Sequence, residues 1–266
     1  MGHKTLIDGV GYDITGGRCL DDGVGYSIQK GRTLVDGVGY DVAFGASGMA
    51  AGDLAVGSSV FANVNGVRTE FLVVHQGLPS SMYDASCDGT WLLMKNLYEK
   101  RIWHSSRSNS YKASTICTYL NGTFLNLFED AIKAKIKTVK IPYVNGTGNS
   151  AVASGSNGLS THVFLLSGYE VGMTNAFSSY IPQDGACLSY FIGTVETDSK
   201  RIGYLNGTAT HWWLRSPNIN STANVWMVNI RGKQTDVPPT DPHGVRPAFV
   251  LDGDTAINPD TFDILG

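Results

Sequence analysis

"HWWLRSPNINSTANVWMVNIRGKQTDVPPTDPHGVRPAFVL", His211 to Leu251, has stiff ends and a loose middle. It opens on Trp212-Trp213 with Arg215 and Pro217, and closes on Arg246-Pro247. Tryptophan brings large apolar area and one N–H that needs an acceptor when buried. Arginine brings a planar fork that ties carbonyls and carboxylates together. Trp212, Trp213, Arg215 and Arg246 are therefore expected to form a structural frame. Between them, residues 225–231 read as a strand. Period two places Trp226, Val228 and Ile230 on one face and Met227, Asn229 and Arg231 on the other, outward face. Gly232 closes that strand in a turn, and residues 245–251 read as a final strand. The interior of the passage is then either an ordinary polar loop or a display surface. On the second reading the ligand-binding residues are Ile219, Asn220, Ser221, Thr222, Asn224, Met227, Asn229, Arg231, Lys233, Thr235, Asp236, Asp241 and His243.

Upstream, residues 60–64 and 67–75 flank Asn65-Gly66, a hairpin pattern. Residues 114–121 read as a short helix capped by Ser114. Phe124, Leu127, Phe128, Ala131, Ile132 and Ile136 follow helical spacing and predict a second helix with one apolar stripe. Lys133, Lys135 and Lys137 near its end suit the helix dipole. Residues 138–144 are a strand candidate, 146–160 a loop rich in Gly, Ser and Asn, and 163–166 a buried strand. Residues 168–210 show little periodicity. So long an irregular insert suits a binding fold better than an α/β enzyme.

The front of the chain repeats. Leu-x-Asp-Gly-Val-Gly-Tyr occurs three times, with Tyr12, Tyr26 and Tyr40 spaced by 14 residues. Fixed-period repetition signals stacked or meandering units. Asp8-Gly9, Asp22-Gly23 and Asp36-Gly37 suit hairpin turns, with Val10, Tyr12 and Ile14 sharing one face. Residues 1–44 are expected to be β-hairpin repeats, 45–54 a small-residue linker, and 55–266 the main domain. The repeats are either an attachment or trimerising module or a meander packed on the same chain. Their glycines are no dinucleotide fingerprint, because Ile14, Ile28 and Val42 stand where its third Gly belongs.

Composition narrows the function classes. The net charge of −3 and pI near 6.0 argue against a nucleic-acid partner. Charged residues at 16% and 32 glycines favour strands and turns. Cys19, Cys87, Cys117 and Cys187 have no zinc or CxxC spacing and are expected to be free, mostly buried thiols. No signal peptide and no membrane span are evident. Export by a cleavable signal is not expected, which makes the cytoplasm before lysis the expected location. The six histidines show no metal spacing. Asp252-Gly-Asp254 lacks the remaining ligands of a calcium loop. No nucleophile elbow, P-loop or HExxH occurs. Asn121, Asn145 and Asn206 precede Gly-Thr, matching the glycosylation sequon, but as Asn-Gly pairs they read as turns. Neither enzyme activity, nor cofactor, nor metal is expected.

Four segments, STICTYLN (114–121), VFLLSGYE (163–170), WWLRSP (212–217) and GVRPAFVL (244–251), occur in this order. Together they resemble the C-type-lectin-like domains of bacterial and prophage proteins. The nearest likeness is to the variable proteins of diversity-generating retroelements, such as phage tropism determinants. The resemblance covers residues 55–252. It implies an α+β fold, two helices around small antiparallel sheets, with C-terminal loops that present a ligand. It also implies a protein or cell-surface ligand, diversified where the template holds AAY codons. Asn218, Asn220, Asn224 and Asn229 then fit unmutated template positions, while Trp226, Met227, Lys233 and Gln234 lie outside the reachable set. A homo-oligomer, for example a trimer, or attachment to a tail through residues 1–44 would add avidity. The competing expectations are a structural virion protein with an inert domain, and a formylglycine-generating-type enzyme. The latter uses late cysteines, whereas no Cys follows WWLRSP here.

Overall fold

A computed structural model describes residues 48–146, 148–174 and 178–266, together with the backbone pairing of six short strands between Lys4 and Ala43. Those six form three two-stranded antiparallel units: Lys4–Ile7 with Val10–Asp13, Arg18–Asp21 with Val24–Ser27, and Lys30–Val35 with Val38–Ala43. The registers centre on the three Asp-Gly pairs, as hairpins require. The expected sharing of faces by their side chains, and Cys19, lie outside the described residues.

Two antiparallel-dominated sheets carry the body. The first is four-stranded, in the order Ala248–Leu251, Thr90–Met94, Val67–Gln76, Ser59–Val64. Its hairpin turns at Asn65 (φ 52°) and Gly66 (φ 74°), the double positive φ that Asn-Gly accepts at least cost. The second is five-stranded, in the order Lys100–Ile102, Pro242–Gly244, Trp212–Pro217, Val225–Val228, Gln234–Val237. Residues 94–102 and 242–251 run side by side through both sheets. Between the two ladders, Met94 N–H donates to Pro247 O, Tyr98 N–H to Val245 O and Val245 N–H to Glu99 O. The Gly-Val-Arg-Pro segment is thus the joint at which one sheet passes into the other.

The two-helix α+β expectation is overturned. The chain is mostly short strands in several small sheets, with one helix of consequence. That helix begins at Thr115–Tyr119, where Ser114 Oγ accepts from Cys117 N–H at 3.1 Å, and continues with wider and tighter turns to Leu127. The stripe from Phe124 to Ile136 predicted a second helix and forms only the single turn Asp130–Lys133. The reason is Phe128. Its backbone is extended (ψ 147°) and bridges Val64, while Asn65 N–H donates to Leu127 O. Phe128 also packs edge-on against Phe124 and Phe249. The apolar positions are core, but sheet-edge pairing overrides helical propensity there. Covering the edge of Ser59–Val64 in this way also removes an aggregation template.

Other boundaries move. Residues 138–144 split into Val139–Ile141 and Tyr143–Gly146. The expected loop at 146–160 contains strand Asn149–Ala153, paired with Tyr143–Gly146, and the start of Leu159–Thr161, paired with Val139–Ile141. Asn121-Gly122 lies inside the helix rather than in a turn. Part of the expected linker belongs to the body. Met49–Ala50 pairs with Ala256–Ile257, Ala51 and Leu54 are buried, and Gln76 Nε2 donates to both Ala51 O and Leu54 O. Met227 is not outward-facing. All four residues of Val225–Val228 are buried, Met227 to 2% exposure. Period two separates core from solvent only in a sheet with one wet face. This strand is interior and covered on both faces. Ile230, expected inward, lies beyond the strand's end and is exposed.

The four segments singled out in the sequence lock onto one another. Asn121 Oδ1 accepts from His162 N–H and Val163 N–H, and its Nδ2 donates to Val163 O. Phe164 and Ala248 exchange backbone bonds of 2.9 and 2.8 Å. Arg215 N–H donates to Leu166 O.

Candidate functional site

Arg215 and Arg246, expected in the frame, are 1% and 2% exposed. The Arg215 guanidinium forks onto Glu170 at 2.5 and 2.6 Å and donates to the carbonyls of Pro142, Leu165 and Asp184. Glu170 also accepts from Tyr83 Oη at 2.7 Å and Ser167 N–H at 2.9 Å. Beside it, Asp184 faces Ser216 Oγ at 2.9 Å. One cation thus serves two buried carboxylates. Burial first, then the Glu170 charge, push the Asp184 carboxyl up to about 7, against the pull of Arg215 and Ser216. Arg246 is different. It donates to Met94 O and Lys95 O, lies 5.0 Å over the Trp212 ring, and leaves Nη1 without a partner. Trp212 Nε1 donates to Arg201 O and Trp213 Nε1 to Arg101 O. These bonds fix the strand that starts the candidate surface.

The sequence-predicted ligand residues do not form one patch. Val225–Val228 and Gln234–Val237 make a hairpin whose strands are roughly 13 Å long, and the residues gather at its two ends. At one end lies the loop 218–224. Asn218 and Asn224 both donate to Asp236 Oδ2 at 2.9 Å. Buried Asn109 gives its Nδ2 to the carbonyls of Asn218, Ser221 and Asn224. Ile219 N–H and Trp226 Nε1 share Tyr180 O. Asn224 and Asp236 are therefore loop fasteners. Asn220 and Thr222 are exposed, with Ile219 and Ser221 half-buried beside them. Tyr180, 46% exposed, joins this end, and its place in the irregular 168–210 stretch gave no periodic signal.

At the other end is the turn 229–233. Asn229 Oδ1 accepts from Arg231 N–H and Lys233 N–H, so this residue too holds the loop. Gly232 has φ 72°, and a side chain there would run into Asp198 O. Ile230 and Arg231 project to solvent, and Lys233 pairs with Glu196 at 2.7 Å. Thr235 lies half-buried on the strand between the two ends. His243 stacks on His211 (5.8 Å between ring centres) and meets the edge of Trp213 at 4.8 Å. Burial, then the neighbouring His211, lower its pKa. Asp241 is exposed beside it.

The remaining chemistry is sparse. Burial pushes the Cys87 thiol up to about 12 and the Cys117 thiol to about 11, which suppresses the reactive thiolate. A groove of about 550 Å³ is lined by Asp88, Lys137, Asp252 and Asp254, among others. Its cation is already present: Lys137 Nζ sits 2.6 Å from Asp252 and 2.7 Å from Asp88 O. Among the described residues no group of three or more His, Cys, Asp or Glu could hold a metal, and no helix is long and apolar enough to cross a membrane.

The chain belongs to the family described as "Domain of unknown function (DUF6273)", whose model matches residues 88–253. Neither a curated protein nor a solved structure matches it.

Proposed function

We propose that this chain is a ligand- or receptor-binding protein, phage- or prophage-encoded, that presents diversifiable loops on a rigid β-rich scaffold. One observation carries the reading. Within residues 211–251 the strands Trp212–Pro217, Val225–Val228 and Ala248–Leu251 are wholly buried, while Asn220, Thr222, Ile230, Arg231 and Asp241 between them are exposed. Stability resides in the frame, and exposed positions away from packing shift it by less than about 0.5 kcal/mol each. Loops on a rigid scaffold are where binding residues concentrate.

The test is a library with Asn220, Thr222, Ile230, Arg231 and Asp241 randomised together. Most members should stay as protease-resistant as the parent, and selection against unrelated protein baits should yield specific binders. A library in which most members unfold would refute the display role. An adenine-rich copy of the segment encoding residues 211–251, beside a reverse-transcriptase gene, would support diversification. The same library folding well but yielding no binders would favour an inert virion domain.

A further inference from the structure

The turn 229–233 does not stand alone. Lys233 pairs with Glu196, Gly232 packs on the backbone of Asp198, and Arg201 Nε donates to Gly232 O at 2.7 Å. The same guanidinium donates to Val195 O and to Glu196 O. Arg201 is fully buried, so it staples two surface loops from beneath. On these stapled loops three aliphatic side chains reach into water: Ile192 at 63%, Val195 at 62% and Ile230 at 47% exposure. Apolar groups gathered on adjoining loops mark contact surfaces.

Charge identifies the partner. The same loops carry Lys200, Arg201, Arg231 and Lys233 against Glu196 and Asp198, and buried Arg246 lies across the Trp212 indole from the Arg201 carbonyl. Arg201 and Arg246 are in no ion pair among the described residues, unlike Arg215 with its Glu170. Their charge is screened less than that of a surface lysine. This face is therefore positive on a chain whose net charge is −3. Such a local reversal steers an oppositely charged partner.

We infer that the surface formed by Ile192, Val195, Ile230 and Arg231 docks an acidic, aliphatic-bearing peptide segment of a partner protein. This rests on the binding reading above and names the chemistry of the ligand at one end of the hairpin. Ile192 and Val195 lie outside residues 211–251, so half of this surface stays constant while Ile230 and Arg231 tune it.

The probe is a displayed library of random peptides, selected on the full chain at low salt. Selected peptides should be enriched in Asp and Glu beside Leu, Ile or Val. The best of them, labelled for anisotropy, should lose at least tenfold in affinity to I192S/V195S and to R231E, and weaken with added salt. Circular dichroism and thermal melting should be unchanged in both variants. Enrichment in basic or purely polar peptides would overturn the inference, as would binding indifferent to both variants. So would concentration-dependent self-association that I192S/V195S abolishes, because the occupant would then be a second copy. Each of these failures leaves the loop-randomisation result intact, so the two readings fail separately.

Discussion

Replacing Arg215 with Met should strand Glu170. In the native chain Glu170 is fully buried and receives both arms of the Arg215 fork, with Tyr83 Oη and Ser167 N–H as the other partners of its side chain among the described residues. Met fills much of the volume but supplies no charge. Breaking a buried ion pair from one side costs roughly 3–5 kcal/mol, because the surviving charge is left uncompensated. The carbonyls of Pro142, Leu165 and Asp184 lose donors as well. For a domain of this size each kcal/mol moves Tm by about 2–4 °C. Arg215→Met should therefore lower Tm on the order of 10 °C and shift the urea midpoint with little change in slope. The second arm of the cycle is Glu170→Gln in the Arg215→Met background. It removes the stranded charge, keeps an oxygen to accept from Ser167 N–H and turns an amide donor toward Tyr83 Oη, so it should recover at least about 1 kcal/mol. A single variant within about 1 kcal/mol of the parent would refute the reasoning. A double variant no more stable than the single one would refute it too, because the loss would then be packing rather than charge.

Asp184 gives a pH signature. Its folded value of about 7 lies above the ordinary 3.8, so between those values the folded chain holds a proton the unfolded chain has lost. Its stabilising contribution is complete below about pH 4 and is lost as pH rises toward 7. Asp184→Asn should flatten that decline in urea titrations and raise stability at pH 8, and an unchanged slope would sink the assignment. Arg246→Ala should cost less than Arg215→Met, roughly 1–3 kcal/mol by chemical unfolding, because it strands no carboxylate. A larger loss than at Arg215 would show that the sheet joint matters more than charge. A chain beginning at Gly48 should melt as the parent does if the repeats are a separate module. One beginning at Ala55 should melt several degrees lower, because it lacks Met49–Leu54 and their bonds to Gln76 and Thr255. Equal melting of the two would contradict the packing of that segment.

Legibility followed locality. The Asn65-Gly66 hairpin and the Ser114 cap depend on neighbours in sequence, and each formed where the residues indicated. The burial of Arg215 and Arg246 followed from the cost of aromatic and guanidinium groups without partners. What failed depended on distant chain. The Phe124 to Ile136 stripe has helical spacing, yet Phe128 extends because Val64 bridges it and Asn65 N–H donates to Leu127 O, across a gap of more than sixty residues. Met227 looked outward only while its sheet was assumed to have a wet face. Ile192 and Val195 sit in an irregular stretch with no period to read, and the Arg201 staple ties the loop of Val195 to the turn that follows Ile230.

The asparagines of the display segment separate into two kinds, and the separation limits what can vary. Asn218 and Asn224 grip Asp236, Asn229 grips its own turn, and Asn109 holds the loop from outside the segment. Each fixes backbone that would otherwise have to be ordered at about 1–2 kcal/mol per residue. Asn220 spends only its main-chain N–H, on Asn218 Oδ1, and its side chain is exposed. A codon scheme that treats all Asn alike would therefore meet unequal resistance. Asp at 218, 224 or 229 keeps an oxygen that can accept a backbone bond but sets a second carboxylate against Asp236 at 218 and 224, and Ser there keeps only a shorter hydroxyl donor. Exchange at 220 loses nothing. Diversity that survives folding should thus concentrate at Asn220, Thr222, Ile230 and Arg231, with Asn218, Asn224 and Asp236 changing only in concert.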